Sequence, residues 1–242
     1  MEIPSLLDML KAGVHFGHQK GKWHPKMKPY IYGVRNGVHI INLETTQKKL
    51  EEALNFIKET VAKGGTVLFL GTKTQAKDSV REAAISCGMP FIVERWLGGT
   101  FTNLSTILKL IKKYQRMKME SEKGEWDKFT KKEKLVNERA LKKLDKIIGG
   151  LATLEKLPSV IYIVDMKEEK TAVIESNRVG VPVVAICDTN VNQTKAAYPI
   201  PANDDATRSI EMITGLVAEA VKEGKKEAEK RGDNIKIESS KS

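Results

Sequence analysis

The stretch SVIYIVDMKEEKTAVIESNRVGVPVVAIC (159–187) decides the fold. It opens on a near-continuous apolar run, SVIYIVD (159–165), and closes on another, VPVVAIC (181–187). Between them EEKTAVIESNRVG reads as a helix that ends in glycine just before the second run. Short runs rich in β-branched residues, apolar at nearly every position, are strands buried on both faces. A helix that stops at glycine and feeds a second strand is the crossover that parallel pairing requires.

The same pattern recurs on either side. TVLFLG (66–71), PFIVE (90–94) and AYPIP (197–201) add three strands. QKKLEEALNFIKETVAKG and QAKDSVREAAISCG supply helices, and the second of these also ends in glycine before a strand. Strands and helices in alternation predict an α/β domain with a mainly parallel sheet covered on both faces.

The alternation breaks between Asn103 and Pro158, a gap too long for one crossover helix. Leu104, Ile107, Ile111 and Tyr114 form one apolar stripe, and Leu141, Leu144, Ile148 and Leu151 repeat its spacing on a second helix. The polar tip SEKGEWDKFT lies between them, and Thr130 with Glu133 fits a capping box that starts the second helix. Two narrow stripes joined by a polar tip predict a protruding antiparallel helical hairpin. From Lys109 to Lys146 it carries 14 Lys and Arg against 7 Asp and Glu. Lys109, Lys112, Lys113 and Arg116 on the first helix, with Lys131, Lys132 and Arg139 on the second, are its candidate contacts to a polyanion.

The whole chain of 242 residues is basic, with 41 Lys and Arg against 31 Asp and Glu and a net charge of +10. That field favours nucleic acid, an anionic membrane surface or an acidic protein. No apolar run approaches the roughly 20 residues that span a bilayer, which weakens the membrane. The opening MEIPSLLDMLKAG carries Glu2 and Asp8 and no long apolar region, so it is not read as a signal peptide. Cys87 and Cys187, both inside apolar runs, read as buried thiols of a reducing compartment, and the expected location is cytoplasmic.

Catalytic patterns are sparse. Neither GxGxxG nor GxxxxGK[ST] occurs, no GxSxG is present, and the Gly71–Lys73 loop reads as an ordinary strand-to-helix turn. His15, His18 and His24 sit in a segment, residues 9–43, that holds no Asp, Glu or Cys. No metal and no cofactor are therefore assigned; a distant acid such as Asp188, Asp204 or Asp205 completes a site with His18 only through tertiary approach. Asp188, after a strand, with Asp204 or Asp205, at a helix start, is the best enzymatic candidate, and turn and cap roles account for the same residues.

Residues 9–43 also carry Lys11, Lys20, Lys22, Lys26, Lys28 and Arg35 interleaved with Trp23, Tyr30 and Tyr32. Cations neutralise phosphates and release counterions, while aromatic faces stack on unpaired bases. Pro25 and Pro29 stiffen the segment and lower the entropy lost on docking.

GVHFGHQ (13–19), WHPKMKPYIYGVRNGVHIINL (23–43), RWLGGTFTN (95–103), VPVVAICDTN (181–190) and YPIPANDDATRSI (198–210) together resemble small-subunit ribosomal protein two of the bacterial type. The match runs in order from about residue 5 to 225. It departs at QKGK (19–22), His24, VNQTKAA (191–197) and Ala202. The resemblance implies a flavodoxin-like α/β domain carrying a coiled-coil hairpin and a non-enzymatic role on small-subunit ribosomal RNA, in subunit assembly and translation. It implies neighbouring small-subunit ribosomal proteins as partners and docking of the large ribosomal protein one. By matching motif, His18, Trp23, Pro25, Lys26, Lys28, Arg35 and Asn36 face RNA or shape its loop. Arg95, Trp96, Gly98, Gly99 and Asn103 form a second block.

The expected organisation is a body of residues 1–102 and 158–226, a hairpin of 103–157 and a charged flexible tail of 227–242. An α/β enzyme acting on RNA or a nucleotide is the alternative, and a basic coiled-coil adaptor for protein partners is a third reading.

Overall fold

The structure is a computed structural model describing residues 3–239, with side chains described to residue 230. A short helix α1 (Leu6–Lys11), capped by Ser5, leads into β1 (Phe16–Gln19), β2 (Ile31–Arg35) and β3 (Val38–Ile41). Then follow α2 (Leu43–Ala62), β4 (Val67–Leu70), α3 (Lys77–Cys87), β5 (Phe91–Ile92), α4 (Leu104–Glu122) and α5 (Lys131–Ile148). The chain closes with β6 (Val160–Val164), α6 (Lys170–Val179), β7 (Val183–Cys187), β8 (Tyr198–Pro201) and α7 (Thr207–Ser239).

All five apolar runs become strands of one parallel sheet in the order β5-β4-β6-β7-β8. Side chains alternate across it, as a strand's period of two requires. Val67, Phe69, Tyr162, Val164 and Ile186 face one core with α2, α3 and α7. Leu68, Leu70, Ile161, Ile163 and Ala185 face the other, with α6, the near end of α4 and Met27. Gly88 and Gly180 close α3 and α6 in the left-handed conformation, at φ +61° and +77°, where a side chain would be strained. Cys87 and Cys187 are free and buried, in accord with the sequence reading.

Helices α4 and α5 follow β5 in sequence and meet where Tyr114 Oη donates to Asp145 Oδ1. Their ends nearest the sheet, Ile107 and Ile111 on one and Ile148 on the other, join the second core. Farther out, Leu135 and Val136 stay exposed. The capping box forms: Thr130 N donates to Glu133 Oε2 at 3.0 Å and Glu133 N to Thr130 Oγ1 at 3.4 Å.

Two features differ from the sequence reading. The N-terminal segment is a three-stranded antiparallel sheet, β1-β3-β2, whose β2–β3 turn is Asn36-Gly37 with φ of 50° and 77°. Asn and Gly tolerate those angles, which is why that pair makes tight hairpins. The last helix runs on into the expected tail. Lys58 pairs with Glu223 at 3.3 Å and Glu227 at 2.8 Å, and Lys225 Nζ donates to the Cys87 carbonyl at 2.6 Å. Backbone helix continues to Ser239, while residues 240–242 of the expected tail (227–242) lie outside the described residues.

Candidate nucleic-acid interface

The basic segment is pinned across the carboxyl ends of β7 and β8. His18 N donates to Thr189 Oγ1 at 2.8 Å and His24 N to the Thr189 carbonyl at 2.7 Å. Gln193 Nε2 donates to the Lys26 carbonyl at 2.9 Å, and Asn203 Nδ2 to the Gly13 carbonyl at 3.1 Å. A Cβ on Gly17 would lie 2.6 Å from Thr189 Cγ2, so only glycine allows this approach. Met27 is fully buried and plugs the segment into the second core.

Anchored on its inner side, the segment turns its cations outward. Lys20, Lys22, Lys26, Lys28 and Arg35 are all exposed. Trp23 is partly exposed, with its ring 5.3 Å from that of buried His39, and Tyr32 stands free at 81% exposure. Asn36 is exposed at the hairpin tip and also makes the turn.

The second block divides. Arg95 and Asn103 are exposed, and Asn103 Oδ1 accepts from Thr106 Oγ1 at 3.0 Å. Trp96 is a correction to the expected RNA-facing set, because it is buried edge-on against Phe101 and its Nε1 donates to Glu175. It shapes the loop and is not available to a base. On the arm, Lys109, Lys112, Lys113, Arg116, Lys131, Lys132 and Arg139 are exposed. Among these, Arg116 meets Glu120 at 3.4 Å, a helix-surface pair worth only a few tenths of a kcal/mol.

Beneath the basic segment lies a group that the sequence alone could not assemble. One ligand atom each from His18, Asp188, Asp204 and Asp205 lie within 4.8 Å of one another. His18 Nδ1 stands 2.9 Å from Asp188 Oδ2, and Asn190 Nδ2 lies 2.9 Å from His18 Nε2. Lys73 Nζ reaches Asp165 at 3.1 Å, Asp204 at 3.0 Å and Asp205 at 2.6 Å. Lys73 is therefore held by acids and does not face a phosphate.

These contacts set the protonation states. Asp188 raises the pKa of His18 against the lowering effect of burial. Burial pushes Asp204 up to about 7, with Asp165 and Asp188 adding to the rise and Lys73 opposing it. Burial alone would lower Lys73, but the three carboxylates outweigh it and hold the ammonium charged. Asp204 Oδ2 is buried without a hydrogen-bond partner. An imidazole, carboxylates and an orphaned buried acceptor fit a divalent cation, which His18, Asp188, Asp204 and Asp205 would hold. The tertiary approach that a metal site demanded does take place here.

The convergence of Asp188 and Asp204 at the strand ends, expected of an enzyme, is also real. In parallel sheets of this order the crevice beyond those ends takes the ligand. Here the chain's own strand β1 lies against it, Lys73 is paired with acids inside it, and the lysines of the basic segment are exposed. The arrangement is that of a basic α/β protein whose exposed cations lie outside the crevice at the strand ends.

The comparisons with known proteins agree. A family model described as ribosomal protein S2 matches residues 9–224. The small ribosomal subunit protein uS2 of Shewanella halifaxensis (strain HAW-EB4) is 48% identical over 225 residues, 93% of each chain. The chain belongs to the ribosomal protein S2 family, whose members are structural constituents of the small ribosomal subunit and not enzymes.

Proposed function

We propose that the chain grips small-subunit ribosomal RNA with two separated cationic surfaces and that its α/β body holds them at a fixed spacing. The first surface is Lys20, Lys22, Trp23, Lys26, Lys28, Arg35 and Asn36, continued by Arg95 and Asn103. The second is the arm, with Lys109, Lys112, Lys113, Arg116, Lys131, Lys132 and Arg139. In this reading the body (1–102 and 158–226) is flavodoxin-like and residues 103–157 form a coiled-coil hairpin. The strand order supports the first of these assignments, since β4 takes the place of strand one in the order 2-1-3-4-5.

The observation that carries the proposal is the sidedness of the N-terminal segment. Met27 and several backbone groups anchor it on the body, and its lysines are left to solvent. Such lysines position a protein on phosphates and contribute affinity rather than base specificity. Neighbouring small-subunit proteins, with the large ribosomal protein one among them, are further partners in the cytoplasm. A cavity of about 680 Å³ between Leu10, Phe16, Tyr32 and Val34, all exposed apolar residues, supports a protein contact on this face.

Neutralising Lys20, Lys22, Lys26 and Lys28 together tests the reading. The slope of log affinity for small-subunit RNA against log salt should fall by about three, close to one per phosphate contact. An unchanged slope removes this interface. A complex with ribosomal proteins that survives nuclease would favour the adaptor reading instead.

A further inference from the structure

Beside the basic segment, the start of α6 and the loop after β7 enclose a concavity of about 360 Å³. Its apolar wall is Met166, Val173 and Ile174, and its rim carries Lys167, Lys170 and Lys195. No carboxylate is among its lining residues. Met166 and Val173 belong to the core, but Ile174 is 51% exposed among the lysines. An apolar floor ringed by cations of one sign suits a ligand with a flat uncharged part and an anionic part.

Two polar groups sharpen this. Asn190 Oδ1 is buried with no hydrogen-bond partner, while its amide nitrogen meets His18. A buried acceptor left unmet costs stability unless a ligand brings a donor. His24 Nδ1 accepts from Lys26 N at 3.2 Å, which leaves Nε2 as the ring's donor. The Gln193–Lys26 hydrogen bond ties this loop to the basic segment, and His24 of that segment lines the concavity.

We propose that this concavity receives one unpaired nucleotide of the bound RNA. The base lies along Ile174 beside Asn190, and its flanking phosphates meet the three lysines. Proteins read RNA chiefly through such extruded bases, because the grooves of a stem admit few side chains. The volume is at the lower end of ordinary ligand sites, roughly 300 Å³ and above, which suits one nucleotide and excludes a stem. The proposal rests on the RNA-binding reading above.

Chemical probing of base edges on small-subunit RNA bound by the full chain tests it, with wild type, Ile174→Trp and a Lys167→Ala/Lys195→Ala double variant. Ile174→Trp fills the space from an exposed position without changing charge, and an unchanged thermal melt confirms its fold. One unpaired base protected by wild type should regain its reactivity with Ile174→Trp, and affinity should fall about tenfold. The double variant should lower the salt slope by between about one and two and leave protection elsewhere intact. Wild-type protection and affinity in Ile174→Trp would overturn the nucleotide pocket and leave the basic surfaces standing. Absence of any protection by the wild-type chain would overturn the RNA reading and the pocket with it.

Discussion

Trp96 Nε1 donates to Glu175 Oε1 at 3.2 Å, joining the loop before α4 to the middle of α6 across 79 residues. The same carboxylate accepts from Gly99 N at 2.8 Å, Phe101 N at 3.0 Å and Thr102 N at 3.3 Å. One buried acid thus closes the loop from which the arm departs. Burial would raise its pKa, yet the backbone donors hold it below the ordinary carboxylate value. Glu175→Ala leaves these donors unmet and should cost about 3 kcal/mol in urea denaturation; Glu175→Gln should cost less, because one acceptor remains. The depressed pKa places this contribution above the ordinary glutamate range, and it disappears as pH falls through the folded value. An unchanged midpoint for Glu175→Ala would show that the loop is held by other means.

The His18–Asp204 cluster should show the opposite pH dependence. A histidine raised in the fold stabilises fully below its ordinary pKa of 6.5 and loses that contribution as pH rises through the folded value. Asp204 ionises near 3.8 when unfolded and near 7 when folded, so folding takes up a proton between these values and stability falls with rising pH there. Measured with a chelator from pH 4 to 8, Asp204→Asn should flatten the decline. A slope equal to that of wild type would mean that Asp204 ionises normally in the fold.

Two glycines should respond in opposite directions. At Gly150 a Cβ would stand 2.3 Å from the Phe91 carbonyl oxygen, so the turn after α5 can press on β5 only without a side chain. Gly150→Ala should cost about 2–3 kcal/mol through forced separation of backbones. Gly215 lies within α7, where an added Cβ would meet nothing inside 4 Å, and Gly215→Ala should be neutral or stabilising by up to about 1 kcal/mol. Paired thermal melts decide both, and equal shifts would contradict the packing described.

The parallel sheet was legible because both of its faces are buried. Val160–Val164 and Val183–Cys187 are apolar at every position, a signal that no solvent-facing alternation dilutes. The N-terminal sheet was harder to read, since its strands are four or five residues long and β1 and β2 pair with β3 through register shifts that break the period of two. Its one local signal, Asn36-Gly37 between Val34 and Val38, was there to be read as a hairpin turn.

The site was legible in composition and not in geometry. The absence of acid over residues 9–43 marked the surface, and the structure keeps its lysines exposed. His18 meets Thr189 and Asn190 across 171 and 172 residues, contacts that no local pattern encodes. Trp96 entered the expected RNA-facing set through its matching motif; only the carboxylate of Glu175, 79 residues away, shows why it turns inward.

Lysine acylation of intact small subunits, compared with the free chain and read residue by residue by mass spectrometry, tests the central claim most directly. Lys20, Lys22, Lys26 and Lys28 and, on the arm, Lys112, Lys113, Lys131 and Lys132 should all be protected in the particle, while exposed Lys48 on α2 should label equally in both. Equal labelling of both basic sets in particle and free chain would contradict the two-surface grip.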